Sequence, residues 1–128
     1  MPVLLNTRLY SVRLGAWHYV GFLAGVVLLV SGFFGAGTVT LIVGGSLVVG
    51  AVIVFRVNMT MTVVHTPAWE MPAWYVATAL GYLGLTVSMG WILAFNFLHP
   101  FLPVGSALPV HLALGGVGWF TLTLMGVS

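Results

Sequence analysis

Charged residues are almost absent from this chain. Three arginines and one glutamate are the only ones among its 128 residues. Soluble domains carry roughly 25% charged residues, and a folded soluble protein could not cover its surface with so few. Because 61% of the residues are hydrophobic, we expect lipid to be the solvent. A chain of this length holds about four membrane spans of roughly 20 residues each, joined by short turns.

The apolar runs are continuous, and glycine or proline residues separate them. We predict an all-α integral membrane bundle, forming a single domain, with four transmembrane helices over residues 14–34, 39–60, 73–97 and 107–128. The segment 35–38 predicts a tight turn, and Ser106 is the expected N-cap of the fourth helix. A membrane β-barrel would need polar and apolar residues in alternation, which these runs do not show.

The positive charges predict the orientation in the membrane. Arg8 and Arg13 precede the first span and Arg56 lies near the end of the second, so four spans bring all three to one side. The positive-inside rule places that side in the cytoplasm. We therefore expect a multi-pass protein of the cell's inner (plasma) membrane, with both termini in the cytoplasm.

Small residues recur at helical spacing. Gly21 and Gly25 form a G-x-x-x-G step, and Gly115 and Gly118 share a helix face with His111. Such stripes allow helix backbones to approach closely, because lipid supplies no hydrophobic drive for helix association. The same stripes would also leave room for a flat cofactor. The sequence leaves both interpretations open.

The four histidines are the main candidates for chemistry, because ionisable side chains within spans are costly and usually functional. In linear order, His18 and His65 fall near one membrane face, and His99 and His111 fall near the other. Neutral imidazoles are suitable axial ligands for haem iron. We predict bound haem b, with His111 and His18 as candidate iron ligands and His99 and His65 as further candidates. The alternative for each is a hydrogen-bonded imidazole at the membrane interface.

Other chemistries have less support. Met59, Met61 and His65 are soft ligands that suit copper(I), but the two methionines would point to different helix faces. The chain has no cysteine, which excludes disulfides and thiol catalysis. It has no nucleophile–base pair typical of a hydrolase, and no basic patch that would bind nucleic acid.

The segment 110–121 carries His111 near a helix start, followed by glycines, an aromatic pair and a threonine. It resembles the histidine-bearing helices of haem–copper oxidase subunit I-like proteins, including nitric oxide reductase relatives. Residues 6–11 and 17–19 are similar to the approach to a helix in those proteins. The resemblance implies that His111 is a low-spin haem ligand. The family's active site also needs an adjacent histidine pair, which this chain lacks, and family members have many more spans.

These observations predict a haem-associated electron-transfer subunit of a membrane redox complex of a respiratory chain. As part of an enzyme, it would be an oxidoreductase subunit without a complete active site of its own. The alternative is a cofactor-free structural subunit that packs beside larger subunits. A transporter would be expected to show broken helices and paired charges, which are not evident here.

The expected partners are the lipid bilayer, other membrane subunits or copies of this chain, and a quinone or a cytochrome as redox partner. No basic or aromatic anchor follows the fourth span before Ser128. We therefore expect the chain to be a short or truncated relative of the family it resembles, in contact with further helices.

Overall fold

The computed structural model describes residue 5 and residues 7–128. Four long helices dominate it: α1 spans Val12–Ala36, α2 Thr38–Val64, α3 Met71–Asn96 and α4 Val104–Val127. The shortest has 24 residues, which is about 36 Å of helix, enough to cross the hydrocarbon core of a bilayer. The protein is therefore a multi-pass membrane protein, and the predicted all-α bundle of four membrane-spanning helices is confirmed.

The helix ends differ from the predicted bounds by a few residues. Pro72 lies in the first turn of α3, where its missing N–H has no helical partner to lose, so α3 begins before residue 73. Pro103 is the N-cap of α4, and the expected cap at Ser106 is therefore wrong. The Ser106 hydroxyl lies inside the helix and donates to the carbonyl oxygen of Pro103 at 3.0 Å.

The turn between α1 and α2 is the one that the sequence predicts. Gly35 and Gly37 have φ angles of 109° and 96°, in the left-handed region that glycine adopts without steric penalty. Two such residues reverse the chain within a few positions. The regular helix of α1 ends before this turn, because Phe34 and Gly35 do not have helical φ and ψ angles.

Each helix packs against its neighbour in sequence: α1 on α2, α2 on α3, and α3 on α4. Among the described residues, no Cα atom of α1 lies within 8 Å of a Cα atom of α4. The bundle is therefore open along the side between α1 and α4. We call the end of the bundle where α1 begins its N-terminal end, because α2 also ends there and α3 begins there.

Glycines bring α1 and α2 into backbone contact. A Cβ atom on Gly25 would lie 2.8 Å from the backbone nitrogen of Val48, and one on Gly44 would lie 2.8 Å from the carbonyl oxygen of Gly25. A Cβ atom on Gly21 would lie 3.5 Å from that of Ala51. In α1, the glycine stripe therefore serves helix packing and is not a surface for a flat cofactor.

The segment before α1 is tied to α2 by a buried amide. The Asn58 side chain is only 2% exposed. Its Oδ1 accepts from the Ser11 N–H at 2.9 Å, and its Nδ2 donates to the Ser11 carbonyl oxygen at 2.8 Å. The main apolar core lies beside this clasp, between α2 and α3 towards the N-terminal end. Beyond this core, the four helices surround a cavity.

Candidate functional site

A cavity of about 840 Å³ lies between the four helices, and all four contribute to its walls. Ligand pockets in proteins usually measure about 300–1,000 Å³ and are mostly apolar. The walls of this one are aliphatic and aromatic apart from two imidazoles and one threonine. Its aromatic wall residues are Phe22, Phe33, Phe55, Trp91, Phe97, Trp119 and Phe120. The two imidazoles belong to His18 and His111.

His18 enters the cavity from α1. Its Nδ1 lies 2.9 Å from the carbonyl oxygen of Ala51. The ring is held between two phenylalanines, with centroid distances of 5.6 Å to Phe22 and 4.9 Å to Phe55. A hydrogen bond and two aromatic contacts together leave this imidazole little freedom to rotate.

His111 enters the cavity from α4. Its Nδ1 lies 3.0 Å from the carbonyl oxygen of Thr86 on α3. The ring packs on Gly90, where a Cβ atom would lie 2.8 Å from Cε1 of His111. Glycine at this position therefore makes room for the imidazole. The π-helical segment Leu114–Thr121 begins three residues after His111, and π-helical turns are frequent at functional sites.

The two carbonyl contacts determine which ring nitrogen can bind a ligand. A carbonyl oxygen can only accept a hydrogen bond, so Nδ1 of each histidine is the protonated nitrogen and donates. In the neutral imidazole, Nε2 then carries the free lone pair. Histidines that bind metals usually donate their other ring N–H to a carbonyl or carboxylate in this way. The Nδ1 contacts of His18 and His111 are therefore of the kind that metal-binding histidines make.

The structure brings together a different pair of histidines from the pairs suggested by linear order. His18 lies beside Ala51, the central residue of α2 (Thr38–Val64), and His111 lies beside Thr86 in the middle of α3. Both imidazoles therefore reach the middle of the membrane-spanning region and do not remain at opposite interfaces. Neighbouring helices are shifted along their axes relative to one another, and this shift places the two imidazoles at a similar depth.

His65 and His99 are not among the residues that line the cavity. His65 is the exposed C-cap of α2, where its Nδ1 lies 2.6 Å from the carbonyl oxygen of Met61 and its ring stacks on Tyr10. His99 is exposed in the loop between α3 and α4. These two side chains have the surroundings of interfacial histidines.

The described residues form neither a metal site of histidine and acidic side chains nor the copper(I) site of Met59, Met61 and His65 that the sequence suggests. Within the part of the chain that the structure describes, no three His, Asp or Glu side chains converge as metal ligands do. Met59 is buried in the core at 5% exposure, whereas Met61 is 40% exposed. A metal ion held by His18 and His111 would therefore need its remaining ligands from another molecule.

The glycines of α4 divide between the two roles that the sequence left open. Gly115 lines the cavity, and a Cβ atom there would lie 3.1 Å from Cγ2 of Thr86. Gly118 is buried against Tyr82, where a Cβ atom would lie 2.5 Å from Cγ of the ring. Gly118 therefore serves helix packing, while Gly115 keeps the wall of the cavity thin next to His111.

No sequence pattern identifies several of the residues that shape the site. Phe55, Thr86 and Gly90 contact or hydrogen-bond the two imidazoles, but each is an ordinary residue of an apolar run. Their roles depend on which helices are neighbours, and no periodicity in a single helix reports that.

Fold and site together define a four-helix membrane bundle with two inward-facing histidines on one apolar cavity. The chain matches no protein family, no curated protein and no solved structure.

Proposed function

We propose that this protein is a haem-associated electron-transfer subunit of a membrane redox complex. The observation that carries the proposal is the pair His18 and His111, which line one cavity with Nδ1 of each bonded to a backbone carbonyl. Cofactor sites in helical bundles are commonly built from side chains on different helices that project inward. The resemblance of the segment around His111 to haem–copper oxidase subunit I agrees with this assignment.

The residues of the cavity fit a haem b group. His18 and His111 would hold the iron through Nε2, and the aromatic and aliphatic walls would contact the porphyrin. Bound haem supplies one-electron chemistry, since its iron changes between two oxidation states. If both imidazoles held the iron, they would leave it no open coordination position for oxygen or another substrate, and this favours electron transfer over catalysis.

The rest of the chain supports a role inside a larger complex. Phe34, Val12 and Val117 are 89%, 77% and 70% exposed, and lipid or neighbouring helices must cover such surfaces. We propose that other membrane subunits or further copies of the chain do so in part, and that a quinone or a cytochrome exchanges electrons with the haem. In an enzyme complex, those subunits would supply the active site.

Haem binding is tested directly on the purified protein. In detergent, the chain should carry haem b or bind it when titrated, in equimolar amount, and the reduced form should show the sharp visible bands of a six-coordinate low-spin haem. Its α-helical circular dichroism shows that the sample is folded. A folded protein that shows no haem absorbance after titration would leave the cofactor-free structural subunit as the better assignment.

We also propose that the N-terminal end of the bundle faces the cytoplasm, in the inner membrane of the cell. Arg8, Arg13 and Arg56 are all nearer that end, and the positive-inside rule supports this orientation. In intact cells, a membrane-impermeant maleimide should label Ser106→Cys but not Thr7→Cys. The chain has no native cysteine, so each label reports one site. Labelling of Thr7→Cys with no labelling of Ser106→Cys would reverse the orientation.

A further inference from the structure

The cavity extends well past the level of the two imidazoles. On α3, Phe97 lies 11 residues after Thr86, whose carbonyl oxygen bonds to His111, or about 16 Å further along the helix axis. On α4, Val104 lies seven residues before His111, or about 10 Å. Since Phe97 and Val104 both line the cavity, it continues to the end of the bundle opposite the N-terminal end. We call this extension the distal chamber, and its walls include Phe33, Leu41, Trp91, Leu93, Phe97 and Leu108.

The distal chamber offers no partner to a polar ligand. Apart from the indole of Trp91, its described lining residues are aliphatic, phenylalanine or glycine. The Trp91 Nε1 already donates to the Ser46 hydroxyl at 3.2 Å. A polar or charged group placed in the chamber would lose its hydrogen bonds to water without replacement, and water itself does not fill apolar cavities. A molecule that occupies the chamber must therefore be apolar there.

The distal chamber opens sideways between α1 and α4. Its lining residues on these two helices are exposed: Phe33 by 58%, Val104 by 42% and Leu108 by 43%. None of the lining residues on α2 is exposed, and Leu41 is only 4% exposed. In the described chain, α1 and α4 also do not approach each other within 8 Å between Cα atoms. The opening therefore faces the lipid that surrounds a membrane-spanning bundle.

These features fit one chain of a phospholipid, which carries two acyl chains joined at its head group. Lipid head groups lie level with the ends of membrane-spanning helices. Phe33, near the end of α1, and Val104, at the start of α4, line the chamber at this level. A head group there can place one chain in the chamber, while the sideways opening leaves the other chain in the bilayer.

We propose that the distal chamber binds one acyl chain of a phospholipid. The chain would extend from the helix ends past Trp91 towards His111, and it would bury its apolar surface against α2 and α3. This site goes beyond the proposed function and does not depend on haem, because the chamber lies past the imidazoles.

Photocrosslinking in vesicles distinguishes a chain inside the chamber from a chain outside the bundle. The purified protein is reconstituted in phosphatidylcholine that carries a diazirine in one acyl chain, and adducts are located by peptide mass spectrometry. Leu41 and Leu93 line the chamber and are 4% and 8% exposed, so lipid outside the bundle does not reach them. Val43 and Leu47 do not line the cavity and are 47% and 40% exposed. We expect adducts at both pairs.

A variant that fills the chamber should lose only the inner adducts. Leu108→Trp places a larger side chain in the chamber and should abolish adducts at Leu41 and Leu93, while those at Val43 and Leu47 remain. Leu112→Trp is the matched control on the same helix, because Leu112 is 62% exposed and does not line the cavity. This variant should keep all four adducts. Helical circular dichroism verifies that each variant is folded, and Ala94→Leu fills the chamber from α3 if Leu108→Trp is not.

Three results would overturn the acyl-chain site. The first is a wild type with adducts at Val43 and Leu47 but none at Leu41 or Leu93. The second is a folded Leu108→Trp or Ala94→Leu variant that keeps the inner adducts. The third is loss of the inner adducts when a long-chain isoprenoid quinone is added, which would assign the chamber to an isoprenoid chain. The haem titration is separate, since a protein that binds no haem should still give the inner adducts.

Discussion

Replacement of His18 or His111 by alanine is expected to remove the six-coordinate haem spectrum and to lower haem affinity by at least about tenfold. Each variant loses one of the two imidazoles that line the cavity and that we propose as haem ligands. The absorbance of the purified, reduced protein measures the effect. Because both imidazoles also pack against neighbouring helices, the helical circular dichroism of each variant must be measured alongside.

The other two histidines are the matched controls. His65→Ala and His99→Ala should keep the wild-type spectrum, because these side chains lie outside the cavity lining. If His99→Ala removed the haem signal while His18→Ala retained it, the ligands would be His99 and His111, the pair that their order in the sequence suggests. The cavity would then not be the haem site. A second discriminating pair is His18→Met and His111→Met, which should shift the spectrum and retain haem, since a thioether can also ligate haem iron.

Gly44→Ala is expected to destabilise the protein by about 1–3 kcal/mol, the usual cost of overpacking a well-packed interior. The new Cβ atom would overlap the backbone of Leu28 and Leu29 and lie 2.8 Å from the carbonyl oxygen of Gly25, so α1 and α2 must separate. Titration of detergent-solubilised protein with a denaturing detergent, followed by circular dichroism, gives the change in stability.

Gly50→Ala provides the control on the same helix. A Cβ atom there would meet no atom within 4 Å, so this change should be neutral or slightly stabilising, as alanine has the higher helix propensity. Equal destabilisation by the two substitutions would contradict the backbone contact between α1 and α2. Since His18 bonds to Ala51 across the same interface, Gly44→Ala should also weaken haem binding, whereas Gly50→Ala should not.

One role of Arg56 follows from the sequence, and another is visible only in the fold. Its charge identifies one side of the membrane under the positive-inside rule. Its second feature is the packing of the guanidinium on Gly84 of α3, with a buried Nε that has no hydrogen-bond partner, and this depends on the glycine of another helix. Asn58 is a similar case: in the sequence it is an ordinary polar residue near a helix end, and only the fold buries it against Ser11.

The sequence by itself determined that the chain crosses a membrane as four helices, because an apolar run of about 20 residues without charges has no other stable solvent. It also determined the α1/α2 turn, since the glycines there permit a backbone that other residues avoid. Hydropathy and turn residues act locally, so they can be read along a single segment.

Only the tertiary structure decided which histidines meet. The depth of a side chain depends on how far each helix is shifted along its neighbour, and that shift is set by contacts such as Gly25 with Gly44 and Gly118 with Tyr82. These contacts join residues far apart in the chain, and nothing in one apolar segment encodes its register against the next. For that reason His18 and His111 line the same cavity, although their order in the sequence places them near opposite membrane faces.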